Sequence, residues 1–348
     1  MDKKELVNIE KIGIIMFGLL GDVLIRTAVI NALKELYPQA KITAICDTNT
    51  KAVLSNNPLV DSFILFDRNN KNKFKKNIGK IKGFWSVRKE NFDLLVDLYN
   101  GGSSPFIVSI SGARYRLGYN HQKDKKVYNL RSDYVPYSNS KVDSFNLQSM
   151  SILQALSDKV FPLKPCFNIS LRVEESIQKY IDSIALNEKN IYILNLGAGS
   201  VDKLLENEKY LEVVKYIYEK YDYIPAVVLN PGQEYLQETF INDFLEPANV
   251  SYIKLKPLSI DEIAVLIKKT KFIITPDTGI MHLSFALGTF VYTAFTYTNP
   301  DLVDLKDDRF IPVYESFEDG VLSQKQEIQI STLIKKVDTL FQKINNEK

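Results

Sequence analysis

The sequence predicts an α/β protein made of two successive, mostly parallel, doubly wound sheets, and three observations carry that prediction. Short apolar, strand-like runs alternate with helical segments along most of the chain. The alternation occurs twice, on either side of the punctuation FPLKP at 161–165. The 348 residues exceed one average domain. Domains are therefore expected at 1–172 and 173–348. Two open α/β sheets in succession imply a cleft between them, with loops at the strand ends facing it.

In the first half, KIGIIMF at 11–17 reads as a strand, followed by the turn Gly18-Leu19-Leu20-Gly21-Asp22 and a helix over 23–36 stopped by Tyr37-Pro38. Val23, Ile25, Ala28, Val29, Leu33 and Leu36 give that helix its buried side. Further strands are expected at 42–46, 63–66 and 93–98, and helices at 48–55 and 74–90. The pattern weakens over 103–134, where 115–119 reads as a strand, and a long helix is expected over 142–156. In the second half a helix over 174–186 precedes strands at 191–196, 226–229, 251–253, 272–275 and 290–294. Helices over 208–221, 234–244 and 260–268 fill the gaps, another starts after Asp277, and 332–344 closes the chain.

Composition narrows the class. Hydrophobic content of 45% with 25% charge fits a globular protein with a sizeable core, and a net charge of +2 gives no reason to expect nucleic acid as a partner. Cys46 and Cys166 lack neighbours at metal-ligand spacing, so both are expected as buried thiols in a reducing compartment. The charged first ten residues lack a signal core and no apolar run reaches the length of a membrane span, which predicts a cytoplasmic protein.

The stretch 273–289 (IITPDTGIMHLSFALGT) organises the chain. A buried strand runs into a polar turn, and an apolar helix starts near Thr278 and stops at Gly288. Unpaired N–H groups and the positive end of a helix dipole beyond a parallel strand suit a phosphate. The plainer reading is that Asp277, a good N-cap residue, and Thr278 merely cap an ordinary helix. The turn ending in Gly21-Asp22 sits where a dinucleotide fingerprint would, but it lacks the GxGxxG spacing and is followed only by Asp47 as a weak ribose partner. Asp22 is then an N-cap or a general base. LNLGAGS at 194–200 offers a small-residue loop whose backbone can reach a phosphate, with Lys203 close behind or simply solvated. Glu234, after Asn230-Pro231-Gly232-Gln233, either accepts from sugar hydroxyls or occupies a favourable first helical turn. His282 is a packed core histidine or a site residue, and His121 has no supporting context. No Cys cluster or HExxH points to a metal. Residues 71–89 hold Lys71, Lys73, Lys75, Lys76, Lys80, Lys82, Arg88 and Lys89 without an acid, with Phe74, Phe84 and Trp85 interleaved. That run faces anionic lipid head groups or an acidic acceptor, or is a solvated helix.

Taken together, these turns resemble the bacterial heptosyltransferases, glycosyltransferase family nine, from about residue 11 to 300. The strand, Gly-Asp turn and helix of 12–32 resemble the family's amino-terminal signature. Asp277 to Thr289 resembles its Asp-Thr-Gly-x-x-His-Leu-x-x-Ala-Leu-Gly-Thr motif without a gap, and 195–203 its Gly-Ala loop with a lysine. The resemblance implies a GT-B architecture, two Rossmann-like domains facing a central cleft, with the acceptor on the first and the nucleotide-sugar on the second. It implies an inverting, metal-independent glycosyltransferase that needs no cofactor. Its donor is a nucleotide-sugar, usually ADP-heptose, and its acceptor lipopolysaccharide core or another cell-surface glycan. By carry-over, Asp22 is the base, Lys203 and the backbone at Thr278 and Gly279 hold the leaving diphosphate, Asp277 contacts the donor sugar or orders that loop, and Glu234 contacts the donor's sugar portion. Gly21, Ser200 and His282 fall in the same motifs as substrate-binding positions.

The chain departs from the family pattern at Lys203-Leu204-Leu205, at FTYTNP over 295–300, and at Ile280. These departures leave open the sugar, the nucleotide base and the acceptor, with capsule, outer-core or protein-linked glycan as choices. Two other classes remain: a sugar-nucleotide epimerase on the same plan, and a non-catalytic nucleotide-sugar-binding or scaffold member of a glycan assembly complex. A peripheral position at the inner face of the cytoplasmic membrane, through 71–89, completes the expectation.

Overall fold

The computed structural model describes residues 6–68, 71–99, 101–121, 125–134, 143–186, 190–303 and 307–347, except the side chain of Lys75 from the basic segment. The chain divides into two units, one reaching residue 168 and the other comprising Ile169–Lys348.

The first unit contains β1 (Lys11–Ile15), α1 (Leu20–Leu36), β2 (Lys41–Asp47), β3 (Ser62–Phe66), α2 (Lys73–Glu90), β4 (Leu94–Asp97), α3 (Ser104–Ser111), β5 (Tyr115–Tyr119), β6 (Leu130–Ser132) and α4 (Phe145–Met150). Its six strands pair in parallel in the order β3-β2-β1-β4-β5-β6. Helices cover both faces of such a sheet, so its strands read as continuous apolar runs: Ile12, Ile14 and Ile15 of β1 and Leu94, Leu95 and Val96 of β4 are fully buried. α1 stops where expected because Tyr37, before Pro38, leaves helical geometry with φ −131° and ψ 73°.

The second unit contains α5 (Leu171–Ser183), β7 (Ile191–Leu194), α6 (Asn207–Tyr221), β8 (Ile224–Val227), α7 (Glu234–Phe240), β9 (Ile253–Lys254), α8 (Ile260–Lys269), β10 (Phe272–Pro276), α9 (Gly279–Leu287), β11 (Phe290–Ala294), β12 (Phe310–Val313) and α10 (Ile330–Asn346). Its parallel order is β12-β11-β10-β7-β8-β9. Counted from its own first strand, that is the same winding as in the first unit. The strand order therefore reverses between β1 and β4, and again between β7 and β10. Ligands of doubly wound sheets bind beyond the carboxyl ends of the strands at such reversal points.

The α/β class and both sheets follow the sequence reading, with local differences. Residues 145–155 form the short α4 followed by a 3-10 segment, Ser151–Ala155, in place of one helix, and the expected start at 142 lies outside the described residues. Thr48–Val53 is likewise a 3-10 turn. α3 is read poorly from SPFIVSIS because its β-branched residues mimic a strand. β6 is only three residues long, and β12 carries Pro312 at the sheet edge, where a missing N–H is tolerated. α5 begins at Leu171 because the Ser170 hydroxyl accepts from Val173 N–H.

The two cysteines also differ. Cys46 is buried, which pushes its thiol up to about 12. Cys166 is only half-buried, between the side-chain amides of Asn31 and Asn57 at 3.8 and 3.7 Å, which corrects the expectation of two buried thiols. Among the described residues no helix is long and apolar enough to cross a membrane.

Candidate active site

At the reversal point of the second sheet, the loops after β7, β8 and β10 meet on Asn195. Its backbone N–H continues the sheet to Ile274 at 2.9 Å, so the side chain is carried to the carboxyl end of β10. There the buried amide donates to the Thr275 hydroxyl at 2.9 Å, and to the Thr278 hydroxyl and the Gly197 carbonyl at longer range. Its oxygen accepts from Gly197 N–H at 3.2 Å and from Asn230 at 2.9 Å. Gln233 donates to the Ala198 carbonyl at 2.8 Å. A side chain at Gly197 would come within 2.6 Å of the amide ends of Asn230 and Gln233 and would displace them from this network. Ser200 then caps a 3-10 turn, Val201–Lys203, by accepting from Asp202 N–H.

That turn brings Lys203 to Asp277, Nζ to Oδ2, at 2.6 Å. Asp277 is thus a charged partner and not the cap the sequence suggested. The N-cap of α9 is Thr278, and its hydroxyl is held by Asn195 and Thr275 instead of turning onto the helix. No side chain caps α9, and its first turn contains no acid. The start of α9 therefore has no side-chain acceptor, and the Lys203 ammonium sits on Asp277, two residues before Gly279. His282, one turn further, is 7% exposed and belongs to the buried face of α9. Glu234 opens α7, and its carboxylate accepts from Gly232 N–H at 2.9 Å, which holds it below the usual carboxylate range.

At the reversal point of the first sheet, Asp22 is the third residue of α1 and is exposed. Its Oδ2 accepts from Leu19 N–H at 2.8 Å and so closes the helix start. Gly18 has φ +139°, and a side chain there would meet Asp22 Oδ2 at 2.6 Å, so any other residue at 18 strains the turn and pushes on this carboxylate. Asp22 borders a cavity of about 400 Å³ with Arg26, Tyr99, Tyr119, His121 and Tyr134. Arg26, one turn on, donates to the Phe17 carbonyl. Burial lowers the pKa of its guanidinium, a shift opposed by the nearby Asp22, Tyr119, Asp97 and Tyr99.

The structure brings together Ser200, Lys203, Asp277, Thr278 and Gly279, and separately places Gly21 and Asp22. Asp47 is taken up by a bidentate pair with Arg68, at 2.7 Å on both oxygens, which removes it as a ribose partner. The sequence reading passed over Arg26 and the buried Asp97, which accepts from Tyr99 N–H and the Tyr128 hydroxyl. The i, i+4 spacing of Asp22 and Arg26 was the available signal. A groove of about 540 Å³ between α5 and α8 borders none of these residues. Among the described residues no three His, Cys, Asp or Glu side chains are grouped closely enough to hold a metal ion.

The sequence profile of Glycosyltransferase family 9 (heptosyltransferase) matches residues 82–325, a span that contains the Lys203 and Asp277 site and begins after Asp22. Lipopolysaccharide heptosyltransferase 3 of Escherichia coli is 23% identical over 288 residues, covering 80% of this chain and 81% of that protein. In three dimensions, E. coli ADP-heptose LPS heptosyltransferase II is similar with a TM-score of 0.75 and 17% identity, over 97% of this chain and 100% of that one. E. coli heptosyltransferase WaaC, solved with ADP, gives a TM-score of 0.66 and 14% identity over 96% and 99% of the two chains. At these identities the solved structures establish the likeness of fold, GT-B-like with two parallel six-stranded sheets.

Proposed function

The chain belongs to glycosyltransferase family 9, the heptosyltransferases, and from that premise we propose that it transfers a heptose, with inversion, from ADP-heptose to a lipopolysaccharide-core or other cell-surface glycan. The observation that carries the reading is the uncapped start of α9 beside the Lys203–Asp277 pair, at the reversal point of the second sheet. A departing diphosphate gains negative charge in the transition state. Fixed N–H donors and an ammonium there stabilise that state more than the ground state. Lys203 leaves Asp277 for the diphosphate, and Asp277 is then free to accept from a donor-sugar hydroxyl or to order the loop. Glu234 contacts the sugar part of the donor, and Gly21, Ser200 and His282 support the same substrates.

In the first unit, Asp22 takes the proton of the acceptor hydroxyl as it attacks the anomeric carbon. The bond to the diphosphate oxygen breaks on the opposite face, and ADP departs with the electron pair. The aromatic and polar cavity at Asp22 suits a saccharide, which supports the reading of the first unit as the acceptor side and the second as the nucleotide-sugar side. The names of the relatives support the donor and the pathway: WaaC was solved with ADP, and the E. coli relative is a lipopolysaccharide heptosyltransferase. The charge work assigned to Lys203 and backbone N–H groups calls for no metal or cofactor. The protein acts in the cytoplasm, peripheral to the inner face of the membrane where a glycolipid acceptor is presented.

The test is donor consumption across a panel of nucleotide sugars with the host's glycolipid extract as acceptor, with and without a chelator. Acceptor-dependent loss of ADP-heptose that survives chelation is the expected result. Consumption of a different donor would change the sugar and keep the mechanism. Tight ADP binding without consumption of any donor would instead mark a non-catalytic nucleotide-sugar binder.

A further inference from the structure

α2 presents an apolar stripe that nothing in its own unit covers. Phe74, Ile78, Ile81 and Trp85 are 74%, 39%, 66% and 68% exposed. Their spacing of four, three and four residues places them along one line on the helix. The opposite side is the packed one. Val87 is fully buried, Gly83 lies against the Phe66 ring, and Phe84 packs on Phe66 and Phe106 at 5.6 and 5.0 Å. The stripe is therefore surplus to the fold, which is how an interaction surface differs from a core face.

The charges around the stripe identify its partner. By helical spacing Lys82 and Lys89 border it on one side and Arg88 on the other, and all three are exposed. Lys89 Nζ lies 5.8 Å from the centre of the Trp85 ring. Residues 71–89 contain eight Lys or Arg and no acid, and among the described residues Lys82, Arg88 and Lys89 make no ion pair with a carboxylate. The same 4-3-4 spacing would also serve a helix pair between two copies of the chain. Two such helices would bring like charges together without a compensating acid. A surface of anionic headgroups above acyl chains satisfies both the charges and the stripe.

We propose that α2 docks flat on an anionic phospholipid bilayer, with Phe74, Ile78, Ile81 and Trp85 entering the headgroup–acyl boundary and Lys82, Arg88 and Lys89 meeting lipid phosphates. The inference deepens the proposed function and rests on it only for the acceptor being membrane-borne. Docking sets which protein face meets the lipid, and the base, cavity and diphosphate site belong to other elements.

Trp85 is the sole tryptophan of the chain, so its emission reports this surface directly. The full-length protein is mixed with phosphatidylcholine vesicles with and without phosphatidylglycerol, in the absence of donor and acceptor. The expected result is a blue shift, and quenching by brominated acyl chains, with the anionic vesicles and its weakening as salt is raised. Ile81→Ser, on the exposed stripe, should lower partitioning by about tenfold or more. Replacing both Lys82 and Lys89 by Gln should lower it about twenty-five-fold, at roughly fivefold per charge. No shift with any vesicle, or equal binding to neutral and anionic vesicles, would overturn the proposal. So would a lipid-independent shift that rises with protein concentration alongside a dimeric mass in sedimentation. Transfer to a detergent-dispersed acceptor should be unchanged in Ile81→Ser. If the wild-type protein binds vesicles and transfers nothing, the enzymatic reading fails while the docking surface stands.

Discussion

The two sheets share one winding order, and both proposed sites lie at the point where that order reverses, yet the two points carry opposite equipment. At the first, the acid sits inside the opening turn of the helix: Asp22 closes α1 by accepting from Leu19 N–H, so the positive helix end is already engaged by a carboxylate. At the second, the acid sits one residue before the N-cap. Asp277 is neutralised by Lys203, and α9 opens with Thr278 turned aside and no acid in its first turn. Helix starts favour anions. Moving the carboxylate from inside the helix to just before it leaves the second helix start without an acid, the arrangement that the proposed diphosphate site requires. Topology supplies two equivalent positions, and the placement of one acid in each is what distinguishes the proposed base from the proposed anion site.

Asp22→Asn breaks the comparison on the first side and should have the largest effect. Transfer should fall on the order of 10²–10⁴-fold, because a positioned base is removed while the amide oxygen can still accept from Leu19 N–H. ADP affinity measured by calorimetry should not change, and wild-type turnover in this variant would remove Asp22 from the mechanism. On the second side, Lys203→Ala should weaken ADP binding by about tenfold to a hundredfold, the worth of a charge-assisted hydrogen bond. The nearly buried Asp277 would then face the diphosphate with no counter-charge, which adds to the loss. An unchanged dissociation constant would place the diphosphate elsewhere. Gly18→Ala should act more weakly, lowering transfer by roughly tenfold with ADP affinity intact, since strain at φ +139° and a contact at Asp22 shift the carboxylate without removing it.

The same contrast explains what the sequence could and could not show. The strand, turn and helix of 273–289 are legible because the signals are local: an apolar run, a polar turn and a glycine stop at Gly288, which has φ +77°. Asp22 is legible for the same reason. The engagement of Asp277 is not, because its partner is 74 residues away and arrives only when β7 pairs with β10. The Asn195, Asn230 and Gln233 network is likewise assembled from two loops that only the sheet brings together. A preference scale assigns Asp277 to the cap, and tertiary pairing reassigns it. The exposed stripe of α2 lies between these cases. Its composition was visible at 71–89, but only the packing of Phe84 and Val87 shows which apolar residues are left outside.

The smallest predicted effect tests whether a second acid in a helix's first turn behaves like Asp22 or only closes its own helix. Glu234 is fully exposed, and Gly232 N–H holds its pKa below the ordinary glutamate value of about 4.3. A depressed carboxylate stabilises the fold above its unfolded pKa, and that contribution disappears as pH falls through the folded pKa. Glu234→Gln should therefore lower Tm slightly at neutral pH, and the difference from wild type should shrink as pH falls below the ordinary glutamate range. With Glu234 on the donor sugar as proposed, affinity for the nucleotide-sugar should fall several-fold while affinity for ADP stays constant. If both affinities are unchanged and only the pH-dependent Tm difference remains, Glu234 only braces the turn at Gly232 before α7. The acids that do chemistry at these two sheets would then be confined to the two reversal points.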